Sequence, residues 1–393
     1  MTPDSPLVLS DLTVLDASQG ISGPFCAKLL AGFGARVIKV EPPEGDYARR
    51  MGPFYQDVPG DERSGLFLYL NTSKESVTLN LGTPGGAALF RRLAQGAAIV
   101  IESFAPGRMV EWGLGYDVLS TGNPGLIHAS VTPFGQTGPY AQYQATEIII
   151  QALSALQYPV GLPGREPLKI GGSPCSMTAG VSAFSAIMIA LHFRDATGEG
   201  QYIDISAIES AAISQIHASV HAQFGGENPL RRDSQLSRTK DGWINVGIQD
   251  SSWQQFCSLI GQPGLAEDDR FSDMAARRKN TKSLVEILDV WLADQGKEAV
   301  YHQLQSMRSI AGPVLTVADL VHSPQYQTRG YFRPVDHPTT GPIPYPGAPF
   351  TVAEQPWRME RAPLLGEHNE PVFGEMLGLS KSDIARLREL GTV

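Results

Sequence analysis

The sequence predicts an α/β protein built on a parallel, doubly wound sheet, and three observations carry that expectation. Short apolar runs alternate with helix-spaced runs through the N-terminal half. Gly and Pro with Ser, Asp or Asn fall between these runs and punctuate them. The length, 393 residues, exceeds one minimal core. Strand–helix–strand units of this size favour parallel strands joined by right-handed crossovers.

Taken in order, LTVLDAS (Leu12 to Ser18) is an apolar run ending in turn chemistry, and predicts a first strand. SGPFCAKLLAGFG comes next with helical spacing at Phe25, Leu29 and Leu30, and Gly32 and Gly34 supply the stop. ARVIKVE (Ala35 to Glu41) is a second strand closed by PPEGD. SVTLNL, the helix TPGGAALFRRLAQG and the strand AAIVIES repeat the unit. LIHASVTPFG, a helix over Ala179 to Phe193 and the strand QYIDIS continue it, and a long helix is expected from Ile208 towards Phe224. From Gly225 the texture changes: KDGWINVGI reads as a hairpin or short strand, and DDRFSDMAARRKN and the segment after it read as helices. The expected division is a large Rossmann-like domain begun by residues 1–224, a smaller α+β domain over 225–330, and a C-terminal part, 331–393, returning to the large domain. Within that last part GPIPYPGAPF is strand-like and SKSDIARLREL is helical.

Composition excludes several function classes. A net charge of −9 argues against nucleic acid as a main partner, because neutralising phosphates needs clustered Lys and Arg. Three cysteines without CxxC spacing argue against a disulfide framework and a zinc site, and fit a reducing cytoplasm. The eight histidines are dispersed, so no metal is expected; His192, inside an apolar helix, reads as a core residue. No basic n-region precedes an apolar core at the N-terminus, and Ala179 to Phe193 is short for a membrane span, so no membrane role is expected.

Three loops come after strands at their carboxyl ends, where open α/β sheets collect ligands. They are SQGISGP (Ser18 to Pro24), ESFAPGRM (Glu102 to Met109) and PFGQTGP (Pro133 to Pro139). The first also opens a helix, whose unsatisfied N–H groups suit an anion or a carbonyl. None matches GxGxxG or GxxxxGK[ST], and no GxSxG elbow occurs. Glu147 heads an apolar run, either as a charge favoured by a helix dipole or as a general acid or base. In GGSPCSMTAG, Ser176 is either a helix cap or a nucleophile, and Cys175 reads as a small buried hydrophobe.

The segment VLDASQGISGPFCAKLLAGFGARVIKVEPPEGD resembles the opening of the class III CoA-transferases, the formyl-CoA and carnitine CoA-transferase family. LNTSKESVTLNL, VIESFAPGRMVEWGLGYDVL, NPGLIHASVTPFGQTGPY, TGEGQYIDISAIES, KDGWI, DDRFS and GEHN match in order, so the resemblance spans nearly the whole chain. It implies an enzyme that moves coenzyme A between carboxylic acids, with acyl-CoA as a substrate and an interlocked, ring-like homodimer. By position it carries CoA binding to Ser18, Gln19, Gly20, Ile21 and Ser22, to the Asn71–Lys74 stretch with Asn71 and Lys74, and to Ser103 and Phe104. Glu111 stands where the family often has a basic residue, and Arg108 is the substitute. Ile21 stands where a Gln is common. Thr146 stands where the racemase relatives have a His beside the acid, while Glu147 matches the recurrent acid. The family's nucleophilic aspartate falls on Ser176, and no carboxylate occurs between Glu166 and Asp195. A hydroxyl cannot form the mixed anhydride that an aspartate forms with a thioester. Three readings are open: CoA transfer by a modified mechanism, another acyl-CoA reaction (lyase, hydratase, isomerase or hydrolase) using Glu147, or a non-catalytic CoA-binding subunit paired with an Asp-containing paralogue.

Overall fold

The computed structural model describes residues 7–225, 231, 235–352 and 357–393. The chain divides into two compact units: residues 1–158, 168–227 and 330–393 form the larger, and residues 159–167 and 228–329 the smaller. The small unit thus takes in a short excursion, 159–167, beyond the stretch read from composition.

The large unit is built on six parallel strands in the order β3-β2-β1-β4-β5-β6. They are β1 (Thr13–Asp16), β2 (Arg36–Glu41), β3 (Lys74–Thr78), β4 (Ile99–Glu102), β5 (Ile127–Thr132) and β6 (Tyr202–Ser206). Helices α1 (Ser22–Gly32), α2 (Gly65–Leu70), α3 (Pro84–Gln95), α4 (Arg108–Glu111), α5 (Tyr116–Gly122), α6 (Glu147–Leu153) and α7 (Pro174–Thr197) connect them. After β6 come α8 (Ala207–Ala212), a 3₁₀ turn and α9 (Ile216–Gly225), so the single helix expected from Ile208 is a broken one. One face of the sheet packs Val14, Val37, Ile99 and Ala129 against α1 and α7. The other packs Leu15, Ile38 and Val100 against Phe90 and Leu93 of α3.

Helix α7 is longer than its apolar run suggests, because Pro174 fits the first turn and Gly198, at φ 80°, ends it. Its length and composition would suffice to cross a membrane, but Ala179, Ala183, Ile187, Ala190 and Leu191 are buried in the core. His192, read as a core residue, is exposed instead; the helix turns it away from that buried stripe. Gly180 allows α7 to approach α1, since a Cβ there would stand 2.6 Å from the Ser22 carbonyl.

The smaller unit holds an antiparallel sheet of β7 (Leu236–Thr239), β8 (Gly242–Gly247) and β9 (Ile310–Pro313). Around it lie α10 (Trp253–Leu259), α11 (Met274–Lys279), α12 (Thr281–Leu292), α13 (Lys297–Ser306), α14 (Val317–His322) and α15 (Pro324–Thr328). Trp253, Phe256, Phe271, Leu288 and Leu304 form its core with Ile244. Back in the large unit, β10 (Phe332–His337) and β11 (Gly341–Pro346) pair as a hairpin, and α16 (Asn369–Leu377) and α17 (Lys381–Glu389) end the chain. The GEHN motif closes the free edge of β3. His368 Nδ1 accepts the Ser76 N–H at 3.1 Å and Asn369 Oδ1 the Thr78 N–H at 2.8 Å. These side chains substitute for a seventh strand.

Candidate active site

Strands β1 and β4 are neighbours, yet the chain leaves them in opposite directions, which opens a crevice at their carboxyl ends. A cleft of about 620 Å³ lies there. Gln19, Ile21 and Ser22 line it from the loop after β1, and Ser103 and Phe104 from the loop after β4. The two loops are tied together, because the Gln19 amide donates to Ser103 Oγ at 2.9 Å. Thr132 at the end of β5, Glu147 and Ser176 complete the wall. No side chain among the described residues caps the N-terminus of α1, whose first residue, Ser22, lines the cleft, so its leading amides are open to a carbonyl or an anion.

Ser176 does not cap α7. With Pro174 as the first helical residue, it sits at the third position, and the Ser173 side chain makes no cap bond. The cap comes from another helix. The Glu147 carboxylate accepts the Cys175 N–H at 2.8 Å, the Ser176 N–H at 3.1 Å and the Ser176 hydroxyl at 2.7 Å. Gln151, one turn along α6, donates a further bond at 3.1 Å. Burial alone would raise the Glu147 carboxyl, but the bonds from Ser176, Gln151 and the two amides overcome it and hold the group below its ordinary value. Glu147 is therefore an anion with its lone pairs largely engaged. The neighbouring Cys175 thiol is buried and pushed up to about 12 by burial and by Glu147, which fits a small hydrophobe and not a thiolate.

Several residues to which the resemblance assigns CoA binding do not line this cleft. Ser18, Asn71 and Lys74 are buried. Lys74 Nζ donates to Asp16 at 2.8 Å, to the Pro24 carbonyl at 2.8 Å and to Asn71 at 2.9 Å, which uses all of its donors. Asn71 also donates to the Phe67 carbonyl at 3.0 Å, closing α2. Ser18 bonds the Asp16 carboxylate through both its amide and its hydroxyl. Lys39, fully buried, bonds Asp46 at 2.8 Å and the Ser18 carbonyl at 2.7 Å. Asp46 in turn accepts the Gly20 amide at 3.0 Å. The first loop is thus held from below by buried charges. Burial would raise the Asp16 carboxyl, but Lys39 and Lys74 hold it below its usual value; burial pushes Lys74 itself down to about 8 despite Asp16. Gly20 has φ 79°, and a Cβ there would overlap the Tyr47 hydroxyl, which also faces the cleft. Arg108 lines no part of the cleft; it is exposed and pairs with Glu111 at 2.8 Å.

The chain is matched over nearly its whole length by known proteins. The profile of CoA-transferase family III fits residues 9–369. The chain belongs to CoA-transferase family III. It is 33% identical to succinyl-CoA–D-citramalate CoA-transferase of Chloroflexus aurantiacus, covering 98% of this chain and 97% of that one. It is 32% identical, over 95% of each chain, to succinyl-CoA:(R)-benzylsuccinate CoA-transferase subunit BbsE of Thauera aromatica. The crystal structure of a CAIB/BAIF family protein from Brucella suis superposes with a TM-score of 0.86 at 31% identity, covering 95% of this chain and 100% of that one. The protein is accordingly an enzyme of the CoA-transferase kind, a class that acts on CoA thioesters.

Within this family III chain, sequence reasoning missed Tyr47 and Thr132 in the cleft wall. Thr132 is 3% exposed and its hydroxyl has no partner among the described residues. The signal was present in IHASVT, whose alternation of His, Ser and Thr with apolar residues marks one polar face in a strand buried on both sides. Among the described residues no group of His, Cys, Asp and Glu could hold a metal ion.

Proposed function

We propose that this protein transfers coenzyme A between two carboxylic acids bound together in the switch-point cleft, without an acyl group passing through the enzyme. The observation that carries this reading is the Ser176 hydroxyl, which donates a hydrogen bond to Glu147 at 2.7 Å at the position where the resemblance puts the family's nucleophilic aspartate. Acylation of that hydroxyl would give an ordinary ester, from which CoA is not readily regained. The direct route balances without it. An oxygen of the acceptor carboxylate attacks the thioester carbonyl, a C–O bond forms, the C–S bond breaks and CoA leaves as the thiolate. The thiolate then attacks the acceptor carbonyl of the resulting anhydride, and the donor acid departs as its carboxylate. Ser176 and Glu147 form the polar wall, and the uncapped amides of α1 are the donors at hand for the charge on the carbonyl oxygen.

Among the described residues no Lys or Arg lines the cleft, so it suits the uncharged pantetheine arm and the acyl end of CoA. The phosphates belong outside it, where the exposed Arg108 can leave its surface pair with Glu111 at little cost. Lys169, whose ammonium bonds the Ile170 and Gly172 carbonyls ahead of α7, is the cation we put forward to meet a second carboxylate. Named substrates of relatives, succinate with citramalate or glutarate, point to dicarboxylic acids. Steady-state kinetics with succinyl-CoA against glutarate, D-citramalate and mesaconate test the route. Intersecting lines and no mass adduct on the Ser176 peptide are expected; parallel lines with an adduct there overturn it.

Exposed Ile148, Ile149 and Leu153 on α6, Val181, Ile189 and Phe193 on α7, and Ile216 and Phe224 on α9 favour a protein partner. We assign this face to a second copy. Transfer by the chain alone, with a dimer mass in native mass spectrometry, is expected; CoA binding without transfer to any acid would favour a divided enzyme with a paralogue, as the word subunit in the name of the Thauera relative indicates for that protein.

A further inference from the structure

A second cavity, of about 390 Å³, shares with the cleft only Ala105 of the strip joining β4 to α4. Glu102, His128, Ser130, Gln136, Tyr116 and Tyr202 are among the residues that line it. Its floor is one face of the sheet, because His128 and Ser130 of β5 stand opposite Tyr202 and Asp204 of β6 in register. His128 is 1% exposed, yet neither ring nitrogen has a partner among the described residues, and the Gln136 amide nitrogen is likewise unpartnered. Buried polar atoms left without bonds are costly, and they gather where a ligand or ordered water completes them. Burial pushes the His128 imidazole down to about 4, so it is neutral and presents one donor and one acceptor.

The wall specifies the class of occupant. Among the described residues no Lys or Arg lines the cavity and Asp117 does, while burial holds the Glu102 carboxyl up at about 7, so nothing in the wall favours an anion. The cavity is distinct from the cleft, since the two linings share only Ala105. The unpartnered set needs an acceptor oxygen for the Gln136 N–H and both a donor and an acceptor for His128. Tyr116 and Tyr202, with ring centroids 5.9 Å apart, add an aromatic surface. We propose that this cavity is a binding site for an uncharged, ring-bearing carboxamide or lactam. Its volume is in the range of small-molecule pockets. Glu102 links it to the cleft: the Phe104 amide donates to Glu102 Oε2 at 2.6 Å, and Phe104 itself lines the cleft.

Nicotinamide and nicotinate share a ring and a size but differ in charge and in the N–H donor, and they make the test. Ligand-observed NMR on the intact protein should show saturable nicotinamide binding at least about tenfold tighter than nicotinate. His128→Leu and, independently, Gln136→Leu should each abolish it while leaving the circular dichroism and CoA affinity unchanged. Leu in place of an unpartnered buried group is tolerated, so the folded variants should be obtained. Binding must also persist with CoA present. Absence of saturable binding, equal binding of nicotinate, indifference to both substitutions, or displacement by CoA would each overturn the site.

Discussion

The two halves of the central sheet treat polar side chains in opposite ways. Under β3, β2 and β1, Asp16, Lys39, Lys74, Glu41 and Arg49 are buried and each is paired. Even Lys28, which burial pushes down to about 7, donates to Thr72 at 2.6 Å and lies over the Tyr69 ring at 4.4 Å. Under β4, β5 and β6, Thr132, His128 and Gln136 have buried polar atoms with no partner among the described residues. Glu102 is pushed up to about 7 by burial, with Ser130 and the Phe104 amide working against that rise. Saturated charges build the shelf that shapes the first loop; unsaturated groups wait for molecules that are not part of the chain. A catalogue of polar residues near a cleft mixes these two kinds, and only their hydrogen bonds separate them.

The largest effect that would break this contrast is expected from Lys39→Met. It strands Asp46 and frees the Ser18 carbonyl, and should cost about 3–5 kcal/mol in denaturant unfolding, as for other severed buried pairs. Lys74→Met belongs to the same class; normal stability with CoA affinity lost would return Lys74 to the binding site.

Glu102→Gln sharpens the other half. A folded pKa raised from 4.5 to about 7 means that the folded protein holds the proton longer. The contribution of Glu102 to wild-type stability is then fully present below about pH 4.5 and is lost as pH rises through about 7. The Gln variant lacks that slope, so relative to wild type it should gain up to about 3 kcal/mol between pH 5 and pH 8 in parallel melts.

Glu147→Ala removes the cap of α7 and should cost about 1–2 kcal/mol at neutral pH. Because its folded pKa is lowered, the cost should be present above the unfolded value near 4.5 and fade as pH falls through the lower folded value. A loss of transfer with unchanged stability would instead make Glu147 a chemical participant and not a structural anion. Thr132→Val should have the smallest effect. No bond is lost, so stability should stay within about 0.5 kcal/mol, while a raised KM for one substrate would show that the hydroxyl serves a ligand.

Much of the fold was legible in the residues. Helix α1 and the strands on either side of it are foretold by LTVLDAS, SGPFCAKLLAGFG and ARVIKVE, because apolar period and glycine stops act locally. The cleft loops were legible for the same reason, and Gln19, Ile21, Ser22, Ser103, Phe104, Glu147 and Ser176 do meet in one cavity. What was not legible is which polar residues face inward. NTSK looks like a binding loop, yet Asn71 and Lys74 turn under the sheet to Asp16, a partner far away in the chain. Ser176 looks like a cap by composition, yet Pro174 starts the helix two residues earlier.

The sequence by itself determined the alternation of strands and helices, the family and the loops that gather at the switch point, since these depend on local period, turn chemistry and ordered motifs. The tertiary structure alone decided that Glu147 caps another helix, that Lys39 and Lys74 are buried in ion pairs, and that His128 lacks a partner among the described residues. The physical reason is that a polar group's worth depends on whether its hydrogen bonds are satisfied, and those partners are brought together only when distant strands pack side by side.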